Sequence, residues 1–433
     1  MPSRATLSIL SVLAAACGAS DPGTAAAPRQ APAADPAAAA DPAAAADAAR
    51  DRQELARLLE IYDTQTPGPK RDALARRIDQ VAGQRYAAWS RLYWHRDLGA
   101  AMAEARERGL PILSLRMLGR LDQDLSCANS RFFRVALYAN SQVSGYLRDH
   151  FVLHWSSERP VPVARIDFGD GRVLERTVAG NSAHYVLDSA GRPVDVIPGL
   201  YSPALFLEAL EAARPAAIRS GALDQAGHAA LVADLHRDLA ERSRDRFASL
   251  GSVQIPAGGR SLVDAEMRAV SKAIVEMPVV RTLELGTQLT LEQARAQEKA
   301  SATWQQIAAA LLLKVGPARL DQRSRALFAS LTPTDWARAG QPLPAGEVDA
   351  LIAAFEQVMA RDAAYNELVL HQQIHQRMAA GAPASFEDLN RWVYAALFLT
   401  PAEDPWLGMA TPGVFTALPR DGVALAADRT AAR

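Results

Sequence analysis

The chain has 433 residues, enough for two or three domains with cores of ordinary size. Its 47 basic and 48 acidic residues nearly cancel and no basic run is interleaved with aromatics, so neither nucleic acid nor an anionic membrane surface is expected as an electrostatic partner. Two cysteines, Cys17 and Cys127, are too few for a disulfide framework.

Residues 1–17 read as a secretory signal. Arg4 supplies a short positive region, and Ala5 to Ala16 form an apolar stretch too short to span a bilayer. The stretch ends in Leu13-Ala14-Ala15-Ala16-Cys17, which resembles a bacterial lipobox apart from Ala14, where leucine is more frequent. That resemblance implies lipidation of Cys17, and Gly18 after it implies transport to the outer membrane. An ordinary Ala-x-Ala cleavage site, giving a secreted soluble protein, fits the same residues. Residues 18–49 contain two Ala-Asp-Pro-Ala-Ala-Ala-Ala units with Pro32, Pro36 and Pro42. Such a segment buries too little apolar surface to offset its ordering entropy, so it is expected to be a disordered linker. The expected location is the cell envelope, with the membrane reached through the lipid.

Residues 50–86 predict a helical hairpin. Leu55, Leu58, Leu59 and Tyr62 recur at helical spacing, Pro67-Gly68-Pro69 interrupts them, and Leu74, Ile78 and Val81 follow. Residues 87–214 alternate between helix and strand periods. Asp97 caps a helix that Gly109 stops. Pro111–Leu118 is a nearly continuous apolar strand, expected in a sheet interior. A long helix is expected from Cys127 to about Arg148, then a strand from His150 to Trp155, a hairpin around Gly169-Asp170-Gly171, and a strand pair at Ala183–Leu187 and Val194–Ile197. Pro203 opens a last helix ending near Ala213.

The order of these pieces resembles the thioredoxin-like domains of exported bacterial proteins. The resemblance rests on Trp94-x-x-Asp97-Leu98, Gly109-Leu110-Pro111-Ile112-Leu113, a cysteine at a helix start, and Tyr185-Val186-Leu187-Asp188-x-x-Gly191. It implies that Cys127 and Ser130 occupy the Cys-x-x-Cys site, here Cys-x-x-Ser, and that Asn181-Ser182 stands where the family carries a cis-proline. The helix expected before that position is replaced by the hairpin.

A thiol at a helix N-terminus meets unpaired N–H groups and the positive end of the macrodipole, and Arg131 and Arg134 would add to that field. With serine at position 130, no second thiol resolves a mixed disulfide. Cys127 is therefore either a monothiol acting on a protein thiol or disulfide, or an inert small hydrophobe. No cofactor is expected.

Residues 215–433 predict helices at Leu223–Leu250, Ser261–Ile274, Leu291–Val315, Ala318–Leu331, Gly346–Met378 and Phe386–Leu399, with a Pro/Gly-rich tail at 401–422. Glu367, His371 and His375 fall on one helix face, but Gln372 stands where a zinc protease carries glutamate, so that chemistry is excluded. A metal role and a polar helix face both remain open for them. His150 and His154 are expected to share one face of a strand. The expected fold class is an α/β thioredoxin-like domain followed by an all-α C-terminal domain. The expected functions are a monothiol envelope protein, or a redox-silent interaction or structural lipoprotein whose helical domain binds an envelope protein partner.

Overall fold

A computed structural model describes residues 42–177, 180–250, 291–332, 345–398 and 400. Helix α1 (Pro42–Thr64) and helix α2 (Pro69–Ala82) form the expected hairpin. Leu55, Leu58 and Leu59 of α1 pack on Ile78, Val81 and Ala82 of α2 in a small core of their own. The helix begins at Pro42, so the end of the expected linker, 42–49, is helical rather than disordered. Proline is tolerated in a first helical turn, and Ala48 is buried there, which ties the alanine run down.

Short helix α3 (Ala87–Ser90) leads to α4 (Leu98–Arg108). The Asp97 side chain caps α4 by accepting a hydrogen bond from Ala100 N at 2.7 Å, and Gly109 ends it at φ 65°. Strand β1 (Ile112–Leu118) follows. It pairs parallel with β2 (Val152–Arg159) and antiparallel with β5 (Ser182–Leu187), which pairs antiparallel with β6 (Pro193–Pro198). The sheet order is β2-β1-β5-β6, with β5 alone reversed. Ile112, Leu113, Leu115 and Met117 are fully buried, so β1 is interior as its apolar run requires. Strands β3 (Val163–Asp167) and β4 (Val173–Thr177) form the separate hairpin.

The helix expected from Cys127 to Arg148 is two helices. Helix α5 (Ala128–Phe133) continues through a wide π-type turn, Arg134–Tyr138, and α6 spans Ser141–His150. Asn140 makes the break, because its side chain accepts from Gln142 N and Val143 N and caps α6. His150 thus ends a helix and does not share a strand face with His154. The former stacks against Tyr146, whereas His154 Nδ1 lies 2.8 Å from Ser114 Oγ.

Helix α7 (Pro203–Ser220) runs straight through Arg214-Pro215, where it was expected to end. Proline removes one backbone bond, but Leu210, Ala213, Ala216 and Ala217 stay buried and hold the helix together on either side of it. Helix α8 spans Gln225–Ala248, α9 Leu291–Val315, α10 Gln322–Leu331 and α11 Ala345–Tyr365. A second wide turn, Asn366–His371, leads into α12 (Gln372–Ala379). Helix α13 (Phe386–Trp392) continues through a third, Val393–Leu397. Among the described residues no strand follows Pro198. The fold is a mixed α/β region followed by a helical one. Cys17, the helix expected at 261–274 and the tail at 401–422 lie outside the described residues.

The two regions share one hydrophobic core, which runs from Leu113 and Val186 to Leu389 and Leu397. Arg116 of β1 donates to Glu158 at 3.2 Å, pairs with Glu387 of α13, and stacks 4.5 Å from the Phe386 ring centroid. Tyr185 of β5 donates to Asn390 Oδ1 at 2.8 Å. Helix α13 is therefore fixed to the sheet by polar contacts on two adjacent strands.

Candidate functional site

Cys127 is the N-cap of α5, in the loop that leaves the end of β1, as expected. Its backbone N–H donates to Leu118 O at 3.1 Å, which anchors the helix start to the strand. The thiol faces two hydroxyls, and a third joins them through Ser130. Ser182 Oγ lies 2.8 Å from Cys127 Sγ, Ser130 Oγ lies 3.4 Å away, and Ser126 Oγ is 2.7 Å from Ser130 Oγ. The structure thus brings the predicted pair Cys127 and Ser130 together and adds Ser126 and Ser182. Ser182 was visible in the sequence only as the residue in place of the expected proline.

Arg134 lies under this cluster, with Nη2 on Ser126 Oγ, and is almost fully buried. Burial pushes its pKa down to about 10, and nearby Tyr86 and Cys127 partly offset that. It remains a cation at neutral pH. Arg131 is directed elsewhere, to Ser126 O and Thr177 Oγ1.

Cys127, Ser126, Ser130 and Ser182 have no solvent exposure. The end of the α13 segment lies beside them. Tyr394 Oη donates to Asn181 O at 3.4 Å, Asn181 Nδ2 donates to Thr400 Oγ1 at 3.0 Å, and Thr400 N donates to Tyr394 O at 2.8 Å. Burial raises the Tyr394 pKa well above the ordinary phenol range, and Cys127 is close enough to contribute. A disulfide substrate cannot reach Sγ while Cys127 is buried, since thiol exchange requires direct attack on sulfur.

A second polar cluster lies at β6. Glu367, His371 and His375 lie together as their spacing predicted, and Asp195 of β6 and His236 of α8 join them. His371 Nε2 is 3.0 Å from Asp195 Oδ1, and its Nδ1 is 3.2 Å from Glu367 Oε2. His236 Nδ1 is 2.9 Å from His375 Nδ1, and His236 Nε2 is 2.8 Å from Val194 O. Burial opposes a charge on His371, but Asp195 and Glu367 together outweigh it and hold its pKa up at about 10. His375 is pushed well down by burial and by the His371 cation beside it. Nothing in the local sequence of Asp195 or His236 marks them as partners of residues so far along the chain.

A cleft of 440 Å³ lies against α1, α4 and β2, lined by Leu59, Arg91, Tyr93, Arg108 and Phe151 among others, and touches neither cluster. No helix among the described residues is long and apolar enough to cross a membrane. Comparison of the chain with family models, with curated proteins and with solved structures gives no match.

Proposed function

We propose that this is a lipid-tethered cell-envelope protein of thioredoxin topology, whose cysteine site is closed and which acts as a redox-silent interaction module. The carrying observation is the complete burial of Cys127, with Tyr394 of the segment that follows α13 bonded to neighbouring Asn181. Several features support the thioredoxin part: the strand order with β5 alone reversed, a cysteine at the helix start after an interior strand, and Ser182 facing that cysteine at the family's cis-proline position. Helix α13 lies on a sheet whose second crossover helix is replaced by the β3–β4 hairpin. The tether rests on Cys17 and the Ala/Pro-rich residues after it. The helical region then offers the surface for an envelope protein partner.

Native-state labelling tests this reading. Cys127 should react with a maleimide ~10³-fold more slowly in the folded protein than in urea, because reaction waits for an opening drawn from the protein's stability. Labelling at the rate of the unfolded chain would end the redox-silent reading.

A second reading is favoured by the position of Cys127 at a helix N-terminus. If the α13 segment opens, the Cys127 thiolate attacks one sulfur of a substrate disulfide. A Cys127–substrate disulfide forms, and the other sulfur leaves as a thiolate. Ser130 cannot resolve that adduct, so it would persist and be trapped from envelope extracts. At most this makes the protein a monothiol exchanger.

A further inference from the structure

We propose that Asp195, His371 and His375, with His236 packed beside them, form a buried structural site for a divalent transition cation of the zinc type. The donor atoms of Asp195, His371 and His375 all lie within 4.8 Å of one another, and the three residues are buried. Two donors on a tetrahedral zinc stand roughly 3.3 Å apart, given bond lengths of about 2.0–2.1 Å. His371 Nε2 and Asp195 Oδ1 are 3.0 Å apart, and His236 Nδ1 and His375 Nδ1 are 2.9 Å apart. Both pairs are already close to that spacing.

The outer contacts support the same conclusion. A ligating histidine ordinarily donates its other ring N–H to a carboxylate or carbonyl, which fixes the tautomer and aims the free nitrogen at the metal. His371 turns Nδ1 to Glu367 Oε2, and His236 turns Nε2 to Val194 O. Glu367 is itself held by Tyr201 Oη and Arg246 Nη1, each at 3.3 Å. The nitrogens so freed are those that face Asp195 and His375.

The imidazoles are also crowded in a way that packing alone does not favour. The His371 and His375 ring centroids are 4.1 Å apart, those of His236 and His375 5.1 Å, and all three side chains are buried. Burying polar rings away from water costs free energy unless their nitrogens find partners. His236 Nδ1 and His375 Nδ1 partner each other, whereas a cation held by Asp195, His371 and His375 would give the crowded rings one common partner. Its binding displaces the Nε2 proton of His371 to solvent, while the Nδ1–H stays on the ring and donates to Glu367. The ligands come from β6, the wide turn before α12, and α12 itself, so the metal would join the sheet edge to the helical region. All three residues and His236 beside them are buried, so solvent and substrate do not reach the site, which favours a structural over a catalytic role.

The test uses the tag-free full chain purified in detergent, exposed to Zn²⁺ and then desalted. About one zinc per chain is expected, together with a melting temperature that falls when a chelator is added. Co²⁺ loading should give the intense visible bands of a tetrahedral site. His375→Gln should abolish those bands, and Glu367→Gln should weaken affinity about 10–100-fold without changing the stoichiometry. His150→Gln, outside the cluster, should bind as the parent does. Should His375→Gln fail to fold, the parent's stoichiometry and chelator response decide the matter. Zinc retained by fewer than about one chain in ten, or Co²⁺ bands that survive in a folded His375→Gln, would overturn the site.

Discussion

Ser182 Oγ stands 2.8 Å from Cys127 Sγ, and neither atom's residue is reached by solvent. A residue at the start of β5 therefore occupies the space directly in front of the thiol, and the pair shares its hydrogen bonding with Ser130 and Ser126. Removing one member of a buried hydrogen-bonded pair costs about 1–3 kcal/mol. Ser182→Ala should lower unfolding stability by that amount in urea titrations. Cys127 labelling in the native state should rise only through that loss, with no separate accessible population.

Arg116 is the fixing point of α13, since it pairs with Glu158 and Glu387 and stacks on Phe386. Its removal leaves two carboxylates without their cation. Burial already raises the Glu158 pKa, and Arg116 is its leading counterweight. Arg116→Ala should destabilise the protein by about 2 kcal/mol, less than a fully buried pair would cost because Arg116, Glu158 and Glu387 are only partly buried. The rate of maleimide reaction at Cys127 should rise at least tenfold. Unchanged labelling in a folded Arg116→Ala protein would show that α13 does not guard the thiol.

Ser130→Cys should convert the site to a dithiol. The Ser130 oxygen is 3.4 Å from Cys127 Sγ at the start of one helix, so the new sulfur has a partner without a change of fold. An oxidised variant should run two mass units lighter than its reduced form, roughly the two thiol hydrogens lost on closure. The parent should show no such change. Insulin reduction should be absent in the parent and slight in the variant, then larger in Ser130→Cys combined with Arg116→Ala.

His184 gives the protein an acid-sensitive core. It is fully buried among Phe133, Tyr138 and Phe206, and its Nε2 is hydrogen-bonded to Tyr138 Oη at 2.7 Å. Burial pushes its pKa down to about 3, from an ordinary value of 6.5. The folded imidazole thus stays neutral where the unfolded one takes up a proton. Its stabilising contribution is complete above pH 6.5 and is lost as the pH falls from there toward 3, at up to about 1.4 kcal/mol per pH unit. Urea midpoints measured from pH 7 to pH 4 should show this slope, and His184→Phe should flatten it by about the same amount.

Cys17→Ala should release the protein from the membrane fraction or stall its processing when the full chain is expressed in a bacterium. A parent protein found unmodified and soluble in the cytosol would rule out the tether.

Much of the α/β region was legible because single residues decide local structure there. Asp97 and Gly109 bound α4, the unbroken apolar run of β1 signals an interior strand, and Pro203 starts α7. The misplaced boundaries are places where tertiary packing or a side-chain cap outweighs the local pattern. Helix α7 passes Pro215 because its buried face continues on both sides of it, and Asn140 divides a run of apolar residues that otherwise reads as one helix. The sites divide in the same way. Cys127–Ser130 and His371–His375 lie within one turn of each other and could be read from spacing. Ser182, Asp195 and His236 join them only through pairings across long stretches of chain, which no local pattern encodes.

The contact of Tyr394 and Thr400 with the Asn181 segment also sets a timetable. In a chain exported N-terminus first, as proposed here, Cys127 and both strands beside it cross the membrane long before residues 386–400 do. Until those residues arrive, the Asn181 segment beside the thiol lacks its contacts with Tyr394 and Thr400. On that proposal any reactivity of Cys127 belongs to the arriving chain, and the docking of α13 ends it.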